Sequence, residues 1–168
     1  GSSIKRVEAE GALQVQTLTR ADIDRTGVQS TEQLLRTVSA MASSGQTQNS
    51  TGAGLGTYGA STVSLRGLGQ ERTLVLVNGK RMVNNPYSAQ SVDVNALPFG
   101  SIERIEVLTD GASAIYGTDA IAGVINFITR KEMTGFSVSA DASLPQASGG
   151  GKAYSAGISG GFGSLSDQ

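Results

Sequence analysis

The sequence predicts an α+β domain, a small mixed β-sheet with short helices and long loops, followed by a pair of strands of a different kind. Three observations carry this expectation. The continuous apolar run at 73–77 (TLVLV) is bounded by turn signals, as a strand buried in a sheet is, and 104–108 and 123–130 also read as strands. Two brief stretches before residue 42 carry helix-start signals. From Phe136 onward, apolar and small polar residues alternate strictly.

The elements follow in order. A short strand is expected at 14–18. Thr19 then caps a brief helix that runs through Asp24. Asp22 is favourably placed in its first turn and Gly27 ends it. Ser30 and Gln33 form a capping box, in which the hydroxyl and the amide satisfy two free N–H groups at a helix start. Leu34, Leu35, Val38 and Met41 then share one helical face and belong to the core. Residues 43–60, SSGQTQNSTGAGLGTYGA, form a loop that is long for a compact domain. Residues 61–66 alternate as a strand, and 73–77 reads as a central strand buried on both faces. Asn78-Gly79 is a tight hairpin signal with 80–83 as the return strand, followed by a polar loop at 84–92. A helical turn is expected at 101–103, a strand at 104–108, a short helix at 113–116 and a strand at 123–130.

The segments 134–144 and 152–163 place Phe136, Val138, Ala140, Ala142 and Leu144, then Tyr154, Ala156, Ile158 and Phe162, on one face. Their length and period fit either membrane-spanning barrel strands or an ordinary half-buried hairpin. No apolar run approaches the ~18 residues of a spanning helix. The opening residues, GSSIKR, lack the apolar stretch of a secretory signal, so none is expected there.

Composition narrows the chemistry. Thirteen basic residues face 14 acidic ones, for a formal net charge of -1, which gives no electrostatic basis for nucleic acid as a partner. The sequence has neither Cys nor His. Disulfides, thiol nucleophiles and the usual serine triads are therefore excluded, along with the commonest metal ligand and the usual general base near neutral pH. No metal site and no cofactor is expected. The acid pairs Asp22/Asp24 and Glu103/Glu106 read as a helix cap and a solvated strand face rather than as acid–base pairs.

GLGTYG at 54–59 has the G-x-G-x-x-G spacing of a dinucleotide-binding turn. That motif needs a strand leading in and a helix starting at the glycines. Here GQTQNSTGA leads in and the strand-like STVSLRG follows, so a nucleotide site is not expected. The glycines instead permit positive φ values in a loop.

Three blocks together identify a family. STVSLRGLG (61–69), TLVLVNGKRM (73–82) and above all IERIEVLTDGASAIYGTDAIAGVINFITRK (102–131) resemble the plug domain of TonB-dependent outer-membrane receptors, in sequence, order and spacing. The resemblance covers roughly residues 7–131. It implies an α+β plug seated inside a 22-stranded barrel, with 1–6 as a segment after the TonB box, 7–132 as the plug and 133–168 as the first two barrel strands. PQASGGG would be the first extracellular loop. It implies an outer membrane location in a Gram-negative bacterium and no enzymatic activity. The function implied is import of a scarce solute such as a siderophore, cobalamin, haem or an oligosaccharide. The partners implied are the protein's own barrel, TonB through a segment upstream of SSIKR, and an extracellular small-molecule or oligosaccharide substrate.

By the same resemblance, the loops at 43–60 and 82–92 face the substrate. Gln46, Gln48, Asn49, Asn84, Asn85 and Gln90 offer amide donors and acceptors, and Tyr58 and Tyr87 offer amphipathic surface. Such groups suit a polyol or peptide better than a highly charged ferric chelate. Arg66 matches the family's RG arginine, which pairs with glutamates of the barrel wall. A second arginine of that lock is replaced by Asp110. Glu103, Arg104 and Glu106 are expected as surface or barrel-facing polar groups, with Arg66, Glu103 and Arg104 forming plug–barrel contacts. Two other readings compete: a soluble enzyme with a glycine-rich nucleotide loop, and a secreted or periplasmic β-rich binding domain without transport. The first lacks the strand-to-helix context and any His, and the second leaves the DGASAIYG-to-GVINF block unexplained.

Overall fold

The computed structural model describes residues 15–41, 60–86, 91–110, 112–132, 135–143 and 153–162. The chain divides into two units, Gly1–Thr129 and Arg130–Gln168.

The first unit is built on a five-stranded mixed sheet. Its strands are β1 (Val15–Thr19), β2 (Thr73–Val77), β3 (Lys80–Arg81), β4 (Ile102–Leu108) and β5 (Gly123–Thr129). The spatial order is β1-β4-β5-β2-β3. All neighbours are antiparallel except β2 and β5, which run parallel from Thr73 opposite Gly123 to Val77 opposite Phe127. Both faces of the central strands are apolar, so the sheet must be covered on both sides. One face carries Val75, Ile105, Val107, Ile125 and Phe127. It packs against Ile23, Leu34, Leu35, Val38, Val63 and Leu65, all buried. The other carries Leu74, Leu76, Leu108 and Val124 beneath Ala112 and Ala120.

Three helices cover it. In α1 (Arg20–Thr26) the Thr19 hydroxyl accepts from Asp22 N and the Asp22 carboxylate accepts from Thr19 N, while Gly27 closes the helix at φ 67°. Only Ile23 of this helix is buried. In α2 (Thr31–Arg36) Ser30 Oγ accepts from Gln33 N, but the Gln33 amide oxygen accepts from Gln29 N, one residue earlier than the expected capping box. α2 ends at Arg36, so Met41 lies beyond it and forms an isolated bridge with Leu65. The third helix, α3 (Ala112–Tyr116), inserts Ala112 into the second core.

Three expected elements differ, the first being the return strand after Asn78-Gly79, which is Lys80–Arg81 rather than 80–83. Residues 61–65 are buried, but they are joined to the fold by the Leu65–Met41 bridge, by the Ser61 carbonyl accepting from Val94 N and by side-chain bonds, not by a ladder. Alternation did not survive there because core surrounds the segment on every side. The helical turn expected at 101–103 is a 3-10 turn at Phe99–Ser101, and β4 begins directly at Ile102.

The second unit is a hairpin of β6 (Gly135–Ser143) and β7 (Ala153–Gly161), nine residues each. Val138 pairs with Ile158 and Ala142 with Tyr154, so the alternating apolar residues line up on one face. Phe136, Val138, Tyr154 and Ile158 on that face are exposed.

Candidate functional site

The site is a groove of about 610 Å³ beside the β2–β3 edge of the sheet. Its construction starts with two tight turns. The first follows the buried segment 61–65. Arg66 and Gly67 take φ 53° and 71°, and Leu68 N donates to Leu65 O at 3.1 Å. A non-glycine residue at positive φ is uncommon, so this turn is over-determined by its surroundings. Thr73 does that work: its Oγ1 accepts from Leu65 N at 3.0 Å and donates to Gly69 O at 3.1 Å. Gly69 N in turn donates to Ser64 Oγ at 3.1 Å. The 3-10 turn Gln70–Arg72 then delivers Gln70 and Glu71 to one wall of the groove.

The second turn is the Asn78-Gly79 hairpin, with φ 51° and 80°, the signature of a type I′ turn. Asn78 Nδ2 donates to Thr129 Oγ1 at 2.8 Å and its Oδ1 accepts from Thr129 N at 3.0 Å. Gly79 N donates to Asn126 Oδ1 at 3.0 Å. The hairpin brings Arg81 and residues 82–86 into the same lining. Met82 N continues the pairing by donating to Val75 O at 3.2 Å, and Asn85 N donates to Ser91 O at 2.6 Å, closing the base of the loop. Asn84 is exposed and Asn85 half-buried, and both line the groove.

Arg81 and Asp119 complete the lining. Arg81 Nη1 donates to Asp119 Oδ2 at 2.6 Å and Nη2 to Tyr116 O at 2.8 Å, which ties the edge strand to the end of α3. Gln70, Glu71, Arg81 and Asp119 escape a reading of the sequence because the groove joins distant segments, with Arg81 and Asp119 alone 38 positions apart. Of the predicted substrate-facing residues, Asn84 and Asn85 are brought together here. Gln46, Gln48, Asn49, Tyr58, Tyr87 and Gln90 lie outside the described residues.

Arg66 is exposed at the tip of its turn, and its Nη2 donates to Ile121 O at 3.2 Å. Among the described residues no carboxylate pairs with it. Arg104 lies toward the other end of the sheet, opposite Ile128. It is half-buried: its Nε donates to Glu106 Oε1 at 3.0 Å, and Glu103 is a more distant neighbour at 4.0 Å. Glu106 is not a solvated strand residue as expected; it is 9% exposed and accepts from the fully buried Asn126 Nδ2 at 3.1 Å. Burial of the strand's second face explains the difference. No group of three or more His, Cys, Asp or Glu gathers among the described residues as metal ligands would.

Comparison with known proteins bears on this architecture. The family model for the TonB-dependent Receptor Plug Domain matches residues 8–124. The iron-regulated outer membrane virulence protein of Vibrio cholerae is 45% identical over 75 residues, which is 42% of this chain and 12% of that protein. The siderophore receptor PirA of Pseudomonas aeruginosa superposes with a TM-score of 0.60 at 28% identity, over 92% of this chain and 26% of PirA. A ferric enterobactin receptor (PfeA) double mutant from the same organism gives 0.62 at 29% identity, over 93% of this chain and 23% of the receptor. The chain thus spans about an eighth of the curated relatives it matches and about a quarter of these receptors. With the plug model matched over residues 8–124 of 168, and the same fold in outer-membrane receptors of Gram-negative bacteria, the chain belongs to the TonB-dependent receptor plug domain family.

Proposed function

We propose that this chain gates an outer-membrane active transporter and contributes to its solute site. In this reading residues 7–132 are the plug and 133–168 the first two strands of the surrounding barrel, with 1–6 following the TonB box. The solute is a scarce extracellular compound such as a siderophore, cobalamin or an oligosaccharide, and TonB supplies the work of moving the plug. The observation that carries the reading is the groove itself. Within a plug-family fold, two turns held at positive φ bring Gln70, Glu71, Asn84 and Asn85 to the lining of one groove of ligand size. Arg66, exposed and without a described carboxylate partner, supports a role at the barrel wall together with Glu103. Arg104, half-buried and bonded to Glu106 within its own strand, is placed in the same role.

The test is the natural gene beyond the codon for Gln168. Many further alternating segments of about ten residues each are expected. Uptake by the full protein should stop when the inner-membrane proton gradient is collapsed with an uncoupler. A stop codon near Gln168, or uptake indifferent to the gradient, would replace transport with a free-standing binding role.

A further inference from the structure

We infer that the groove beside β2 takes an uncharged, polyhydroxylated solute and disfavours polyanionic chelates. The inference rests on the import reading and names the class of solute that reading leaves open. It starts from the charges that line the cavity. Among the described residues the lining carries one guanidinium, Arg81, and two carboxylates, Glu71 and Asp119. Arg81 is already engaged: one Nη holds Asp119 at 2.6 Å and the other holds the Tyr116 carbonyl at 2.8 Å. Glu71 is exposed and has no cation within pairing distance among the described residues. A polyanion entering the groove therefore meets one uncompensated negative charge and no cation that is not already neutralised.

The remaining lining suits hydroxyls. Gln70, Asn84 and Asn85 carry amides, which both donate and accept, as a hydroxyl does. The Glu71 carboxylate is an acceptor only, and a neutral O–H donor satisfies it without the need for a counter-charge. Half-buried Met82 and Val92 add apolar surface on which the C–H faces of a sugar ring can rest. A peptide added as an extra strand fits less well. The β3 edge offers only Lys80–Arg81, and Pro86 follows shortly after, so there is little ladder to extend.

The test uses the full 168-residue chain, labelled for amide NMR and titrated separately with three probes. These are maltohexaose, the trianionic gallium(III) tris-catecholate complex and the cation spermidine. Maltohexaose should shift the amides of Gln70, Glu71, Asn84 and Asn85 saturably in the millimolar range, while the gallium complex leaves them unmoved at the same concentrations. Glu71→Lys, at an exposed position, should keep the circular dichroism spectrum and strengthen binding of the gallium complex by about tenfold. The inference is overturned if the gallium complex or spermidine saturates these amides below the sugar, or if none of the three moves them. Those results would leave the transport reading intact, because that reading stands or falls on the continuation of the gene and on energised uptake.

Discussion

Asn126 has no contact with solvent, and its amide is engaged at both ends. The Nδ2 donates to Glu106 and the Oδ1 accepts from Gly79 N, so one side chain joins β4, β5 and the hairpin that leads to the groove. Asn126→Leu removes both bonds and leaves a mostly buried carboxylate short of a donor. It should cost about 2–3 kcal/mol in urea unfolding. Adding Glu106→Leu should recover part of that loss, because the stranded acceptor goes with it. Gly123 makes a different demand. It sits at φ 136°, and a Cβ there would stand 2.5 Å from Leu108 O and 2.8 Å from Leu65 Cδ1. Gly123→Ala should therefore destabilise by about 2 kcal/mol or more, seen as a lowered urea midpoint with an unchanged slope.

At the scale of the element, α1 is seven residues long and buries one side chain, so its ends matter. The Asp22 carboxyl is held below its ordinary value of 3.8. The Thr19 hydroxyl bond is the largest cause, followed by the bond from Thr19 N, and Arg25 adds further stabilisation of the anion. A carboxyl lowered in this way supports the fold fully above about pH 4, and the support is lost as pH falls through the depressed value. Asp22→Asn should accordingly narrow the stability gap between pH 6 and pH 2.5, measured by urea unfolding at each pH. Signals of this kind were legible in the sequence because they are local: Thr19, Gly27 and Asn78-Gly79 each specify geometry within four residues. The strand at 61–66 was not, since its pattern resembles a ladder strand while its partners are scattered backbone groups at Ala40 and Val94 and side chains of Thr73, Asp93 and Glu32. Glu106 was misjudged for the same reason, as only the register opposite Asn126 shows that it faces inward. Of the groove, the loop amides at 84 and 85 could be read, while Arg81–Asp119 required the fold.

At the scale of the molecule, the two units bury their apolar residues differently. The first encloses its apolar residues on both sides of a sheet, whereas the hairpin β6–β7 leaves Phe136, Val138, Tyr154 and Ile158 uncovered on one face. A row of this kind is a binding surface for hydrocarbon. The chain should bind detergent micelles, and a Val138→Asp/Ile158→Asp variant should lose most of that binding while the far-UV spectrum of the first unit persists. Strand order has another consequence. Among the described residues β1 pairs only with β4, whose first residue lies 83 positions beyond the last of β1, and β2 must wait for β5 to gain its parallel neighbour. Few of the sheet's pairings can therefore close until most of the first unit has been made. Loop-closure entropy is spent before these contacts reward it, which makes folding slow for a domain of this size. The newly made chain holds VQTLT without a partner strand until β4 is available, and TLVLV with only the short β3 beside it until β5 is made. The interval between synthesis and sheet closure is thus the period in which this protein is most open to aggregation and most in need of a holding chaperone.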